Sequence, residues 1–194
     1  MNYLAHFYLS GNNKQLMLGN YMGDFIKASE VEALPAEIKK GVMLHRFIDE
    51  YTDNHQEVLK SKELVRPYFK KYSPVVIDIF YDHFLALNWE KYHSDKLEDF
   101  AKKVYDLLES NIDLLPKKSL RFLQYLTQNN MLVNYKSIDG MEKVFQGMSY
   151  RASFNSGMEK AHVILQKHFV ELEMHFNSFF PELNKACKLH IANT

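Results

Sequence analysis

Between Pro74 and Trp89 the chain has almost no polar face: Val75, Val76, Ile77, Ile79, Phe80, Tyr81, Phe84, Leu85, Ala86, Leu87 and Trp89 fill it. A helix that is apolar all round has to be covered all round, so this segment must run through the middle of a core. Yet it also carries Asp78, Asp82 and His83. Asp78 and Asp82 lie one turn apart on a stripe shared with Leu85 and Trp89, while His83 points to a neighbouring face. Two acids on one wall of a buried helix repel each other unless a cation or a proton holds them.

The rest of the chain reads as helical too. Seven glycines and five prolines in 194 residues leave little punctuation for hairpins, and no sustained period-2 alternation occurs. Pro35 suits the first turn of a helix reaching about Asp53. Ser73-Pro74 reads as a cap and first helical position for a helix through about Tyr92. Ser94 caps a helix over about 95–110, with Pro116 in the break after it. Val163, Leu165, Phe169, Leu172 and Phe176 recur at helical spacing in a long helix over about 157–179, which Pro181 is expected to end. With no repeat, low-complexity tract or linker, the expectation is one all-α domain over residues 1–194.

A second helix repeats the conflict between burial and charge. Ile38, Val42, His45, Asp49 and Asp53 fall on one stripe of roughly 80°. Leu44, Phe47, Ile48 and Tyr51 make an apolar face opposite, and the solvated edge is narrow, centred on Lys39, Arg46 and Glu50. The stripe therefore begins aliphatic and ends as His45, Asp49 and Asp53. Upstream, His6 interrupts an apolar N-terminal helix. Asp24 follows Gly23 among apolar residues, and glycines at 19 and 23 permit close helix packing. A buried lone carboxylate costs several kcal/mol or is neutralised. A single core histidine is ordinarily hydrogen-bonded to backbone, and Asp53 within Thr52-Asp53-Asn54 suits a helix end. One or two metal ions would account for all four segments together, and mixed imidazole and carboxylate ligands suit Mn, Fe or Zn.

The bulk numbers exclude several classes. Lys plus Arg and Asp plus Glu balance at 24 each, so no global basic field marks a nucleic-acid binder. The lone Cys187 rules out an internal disulfide or a multi-cysteine zinc site, and reads as a half-buried hydrophobe. No basic leader opens the chain and no apolar stretch approaches the ~18–20 residues of a bilayer span, so neither a signal peptide nor a membrane partner is expected. A soluble, cytoplasmic protein is the reading.

Asn2-Tyr3-Leu4-Ala5-His6, Gly23-Asp24-Phe25, Leu44-His45-Arg46-Phe47-Ile48-Asp49 with Thr52-Asp53, Asp82-His83-Phe84, Gly147-Met148 with Arg151, and Phe176-Asn177-Ser178-Phe179-Phe180-Pro181 resemble the bacterial acyl carrier protein phosphodiesterase family. The resemblance spans essentially the whole chain. It implies a helical fold related to the HD phosphohydrolases and a metal-dependent reaction, with manganese favoured. The family's reaction removes the 4′-phosphopantetheine arm from a serine of holo-acyl carrier protein. The superfamily's consecutive His-Asp pair is met here only in reversed order, as Asp82-His83.

Residue roles follow as expectations. Asp24, His45, Asp82 and His83 are the candidate ligands. Asp49, one turn from His45, orients its imidazole or joins the ligands. Catalytic roles go to Asp49, Asp53 and His6, with His6 transferring the proton. Arg46 and Arg151 are candidates to grip the phosphate through forked hydrogen bonds, Arg46 having an equal reading as a solvated edge residue. Acyl carrier proteins present an acidic surface, and Lys62, Arg66 and Lys70, with Lys60 and Lys71 nearby, form a positive docking ridge if Pro67 leaves that segment helical. A plain solvated face is the competing reading.

Three alternatives stay open. A ferritin-like di-iron protein would use Glu90 with His93 and Glu159 with His162. A related metal phosphohydrolase would act on nucleotides or another small phosphodiester. A non-catalytic module would bind the carrier protein without cleaving it.

Overall fold

The computed structural model describes residues 1–152 and 155–194, Arg151 by its backbone alone, and has no strand among the described residues. Its α-helices are α1 Tyr3–Leu9, α2 Lys14–Met22, α3 Ala28–Val31, α4 Ala36–Asn54, α5 Gln56–Phe69, α6 Ser73–Leu87, α7 Trp89–Tyr92, α8 Leu97–Glu109, α9 Leu120–Gln128, α10 Met131–Asn134, α11 Ile138–Arg151, α12 Ala161–Lys167 and α13 Phe169–Ala192. No helix among the described residues is long and apolar enough to cross a membrane.

The apolar α6 is the hub, packing against α1, α5 and α13. Val76, Ile77, Ile79, Phe80, Tyr81, Phe84, Leu85 and Ala86 have no exposed surface. At about 1.5–3 kcal/mol for each large side chain, their burial dominates the stability of this region. Phe176, Phe179 and Phe180 of α13 close over it, with Tyr81 edge-on to Phe176 at 5.6 Å. The helix ends earlier than the sequence suggests. Asn88 turns its side-chain NH₂ back onto the Phe84 carbonyl, which breaks the run before α7.

Proline is the other correction. Pro181 lies inside α13 and Pro67 inside α5. Each costs a helix about 3 kcal/mol through a lost N–H bond and a clash with the preceding turn. Buried residues on both sides offset that cost: Phe179, Phe180, Leu183 and Cys187 in α13, and Val65 and Phe69 in α5. The long C-terminal helix breaks instead at His168, between α12 and α13.

Two elements set up the site. α2 crosses α4 backbone to backbone at Gly19 and Gly41, where a methyl group on Gly19 would strike the Ile38 carbonyl and one on Gly41 the Leu16 carbonyl. Sequence reading singles out Gly19 but not Gly41. This closeness brings the end of α2 against the middle of α4. At Gly23 any side chain would occupy the space of the His45 ring.

Candidate metal centre

α1, α4 and the turn after α2 meet at a pocket of about 350 Å³, whose walls include His6, Asp24, His45, Asp49, Thr52 and Asp53. Each imidazole Nε2 faces carboxylate oxygens. His6 Nε2 lies 3.2 Å from Asp49 Oδ1, and His45 Nε2 lies 3.2 Å from Asp49 Oδ2 and 3.4 Å from Asp24 Oδ1. The two rings stack at 4.3 Å between centroids. Ligand-type atoms of His6, His45 and Asp49 all fall within 4.8 Å of one another. The Tyr3 hydroxyl donates to Asp24 Oδ2 at 2.6 Å and holds that carboxylate at the rim.

Asn20 fixes which nitrogens face inward. Its NH₂ donates to the His6 carbonyl and to Ser10 Oγ, both at 2.9 Å, so Oδ1 must face the rings. That oxygen accepts from His6 Nδ1 at 2.7 Å and from His45 Nδ1 at 3.2 Å. Both rings thus carry their proton on Nδ1 and turn the Nε2 lone pair toward the acids. Lone pairs facing carboxylates repel unless positive charge stands between them. A proton on His45 supplies it, or a metal ion does. Buried imidazoles whose far nitrogen is hydrogen-bonded are the usual way proteins present histidine to a metal. The donor set therefore fits a divalent cation.

The same geometry shifts the titration of these groups. Burial alone would pull His45 down, but hydrogen bonds to Asp24 and Asp49 outweigh it and push its pKa up to about 9. His6 moves below the ordinary histidine value, through burial and the neighbouring His45. Burial would raise Asp49 and Asp24, yet the imidazoles hold both below the usual carboxylate range.

Two expected ligands are placed elsewhere. Asp82 is wholly buried and accepts backbone N–H bonds from Asn2 at 3.1 Å and Leu4 at 2.7 Å. Beside it Asp78 pairs with the Met1 ammonium at 2.9 Å. The charge that keeps two acids on one wall of α6 is therefore the start of α1, with its terminal amine and free N–H groups, and needs no metal. Burial pushes Asp82 up to about 7 against these attractions. His83 bonds through Nδ1 to the Tyr135 carbonyl at 2.6 Å, and neither it nor Asp82 lines the pocket.

The remaining expectations divide. Asp53 caps nothing; it lines the pocket and pairs with Lys62 at 2.7 Å. Lys62 is only 8% exposed, so it cannot stand on an outer ridge, and Arg66 is paired with Glu63 at 2.9 Å. Lys70 follows the end of α5 with φ 50°. The helix survives Pro67, but Lys60, Lys62 and Arg66 turn inward or onto acids, which leaves only the exposed Lys70 and Lys71, beyond its end, of the expected ridge. Arg46 lies exposed on the outer face of α4, with Met43 Sδ as its neighbour, and does not line the pocket. The side chain of Arg151 lies outside the described residues. Neither Glu90 with His93 nor Glu159 with His162 gathers into a metal-type group among the described residues. Cys187 is buried, which pushes its thiol up to about 12 and leaves it inert.

Sequence reading misses Asn20, the Met1 ammonium, and Thr52, whose buried Oγ1 has no hydrogen-bond partner among the described residues. Asn20 had a signal, an amide between Gly19 and Tyr21 in an otherwise apolar stretch, but nothing tied it to either histidine.

Residues 1–183 match the family model described as acyl carrier protein phosphodiesterase. A Klebsiella pneumoniae acyl carrier protein phosphodiesterase is 32% identical over 187 residues, covering 94% of this chain and 95% of the relative. Proteins of the same description from Escherichia coli and Enterobacter are 30% and 28% identical, with the same coverage. No solved structure matches.

Proposed function

The chain belongs to the acyl carrier protein phosphodiesterase family, and from that membership we propose that its pocket hydrolyses the phosphodiester between 4′-phosphopantetheine and a serine of holo-acyl carrier protein, giving the apo protein. The observation that carries this reading is the convergence of His6, His45 and Asp49, with Asp24 at the rim, on one open pocket. His6, His45 and Asp49 would hold a divalent ion, manganese by preference, with Asp24 completing the set. When bound, such an ion lowers the pKa of water and offsets charge on phosphoryl oxygens. The likeness to the HD phosphohydrolases belongs to the same proposal.

The chain's own groups divide the remaining work. Asn20 locks both imidazoles in the Nδ1–H form and keeps their Nε2 atoms pointed inward. That arrangement occupies both nitrogens of His6, so the proton-transfer role passes to Asp53. Its Oδ1 is held by the Lys62 ammonium, and its other oxygen is the candidate to take a proton from the attacking water. Tyr3 keeps Asp24 at the rim. Arg151, three positions beyond the pocket-lining Met148 on α11, remains the candidate cation for the phosphate. A cytoplasmic location belongs to the same proposal.

The test is mass spectrometry of holo-acyl carrier protein after incubation with the protein and manganese. Loss of the whole prosthetic arm is expected, and Asp49→Ala should abolish it. An unchanged carrier mass across a series of divalent metals would overturn the reading.

A further inference from the structure

The pocket does not end at the metal-type group. Asn2, Tyr3, Val75 and Met148 also line a second, open groove of about 440 Å³, whose other residues include Phe25, Phe122, Ala152 and Met158. Tyr3 belongs to both spaces. Its ring lies against Phe122 at 4.5 Å between centroids, and its hydroxyl reaches Asp24.

We propose that this groove holds the pantetheine arm of the substrate during cleavage, an inference that rests on the function proposed above. A phosphodiester has two substituents, and each must leave the reacting phosphorus in some direction. One is a serine on a folded carrier protein, which has to stay outside the pocket. The other is a slender chain with a gem-dimethyl carbon and two amides, and it needs an apolar trough that starts where the phosphate sits. The two spaces share Asn2, Tyr3, Val75 and Met148, so a chain leaving the phosphate past Tyr3 has the groove beside it. Aromatic and methionine side chains suit the methyl and methylene carbons. Asn2 supplies a polar contact. Its Oδ1 already accepts from Tyr3 N–H at 2.8 Å and from the Tyr135 hydroxyl at 3.0 Å, while its NH₂ has no partner among the described residues and suits an amide carbonyl of the arm.

The experiment measures the affinity of the manganese-loaded protein for free 4′-phosphopantetheine and for inorganic phosphate by calorimetry. The arm should make phosphopantetheine bind tighter by about tenfold or more. Ala152→Trp fills the groove from a position that does not line the metal-type pocket, and should cut that ratio by about tenfold while leaving phosphate affinity unchanged. Phe122→Ser, read by the same ratio, serves if the tryptophan variant fails to fold. A ratio near one in the unaltered protein, or a ratio indifferent to the variants, overturns the proposal. So does a variant that weakens apo-carrier binding and not phosphopantetheine, because the groove would then seat the carrier surface. Cleavage of holo-carrier protein is followed in parallel. If the arm is released while the ratio stays near one, the groove assignment fails alone; if nothing is released although phosphopantetheine binds tightly, the cleavage function fails and the groove stands.

Discussion

His45 is placed where either a proton or a metal ion could sit. Without a metal it holds a proton between Asp24 and Asp49, and its pKa of about 9 stands above the ordinary 6.5 of histidine. A raised folded-state pKa adds stability that is complete below 6.5 and is lost as pH climbs through about 9. Asp49 runs the opposite way, its depressed pKa contributing above the ordinary carboxylate range and failing only in acid. His6, also depressed, titrates below the His45 window. Asp24 and Asp49 are nearly half exposed, so solvent screening leaves on the order of 1–2 kcal/mol for the His45 proton. The metal-free protein should therefore lose roughly 3–6 °C of melting temperature between about pH 6 and pH 9.5 beyond what His45→Gln loses. Adding manganese should remove that difference, because a bound metal takes the proton's place. Equal pH profiles for the two proteins would show that His45 carries no such proton.

At the scale of elements, α6 acts on the site at a distance. Asp82 accepts the N–H groups of Asn2 and Leu4, and His6 sits two residues further along the same short helix. Asp82→Ala strips the acceptor from one buried and one half-buried donor, at about 1–3 kcal/mol each. It should lower the melting temperature by roughly 5–15 °C and weaken metal binding only through the displaced α1. A ligand role would give the reverse, metal affinity lost and melting unchanged, so calorimetry with and without manganese separates the two. The same pair marks what sequence can show. The apolar run around Asp78 and Asp82 disclosed the buried helix and the need for a counter-charge, because burial and periodicity are local properties of the string. That the counter-charge is the first turn of the chain is a fact of α1 meeting α6 across some eighty positions, and no periodicity carries it. His45 and Asp49 were legible because they share one stripe of α4. Asn20 was not, because its role depends on α2 crossing α4 at Gly19 and Gly41. Pro181 misled for a related reason, local cost being outweighed by packing on both sides.

The whole molecule is neutral by count, with 24 basic and 24 acidic residues, and at several places the structure pairs charges locally as well. Lys40 meets Glu37, Lys60 meets Glu57, Arg66 meets Glu63, Lys102 meets Asp106 and Lys103 meets Asp95, all within 2.9 Å. A surface paired in this way sends little field beyond a Debye length of about 10 Å. An acidic carrier protein would then be captured mainly by short-range contacts and by its arm, not steered from afar. The value of kcat/KM for holo-carrier protein should accordingly change less than about threefold between roughly 50 and 300 mM salt. Arg66→Glu should leave that slope as it is. Lys62→Glu should instead lower the melting temperature, since it would put a third, largely buried acid beside Asp53 and Asp78. A fall of tenfold or more with salt, removed by Arg66→Glu, would restore a basic docking face and make the charge pairs seen here irrelevant to how the partner arrives.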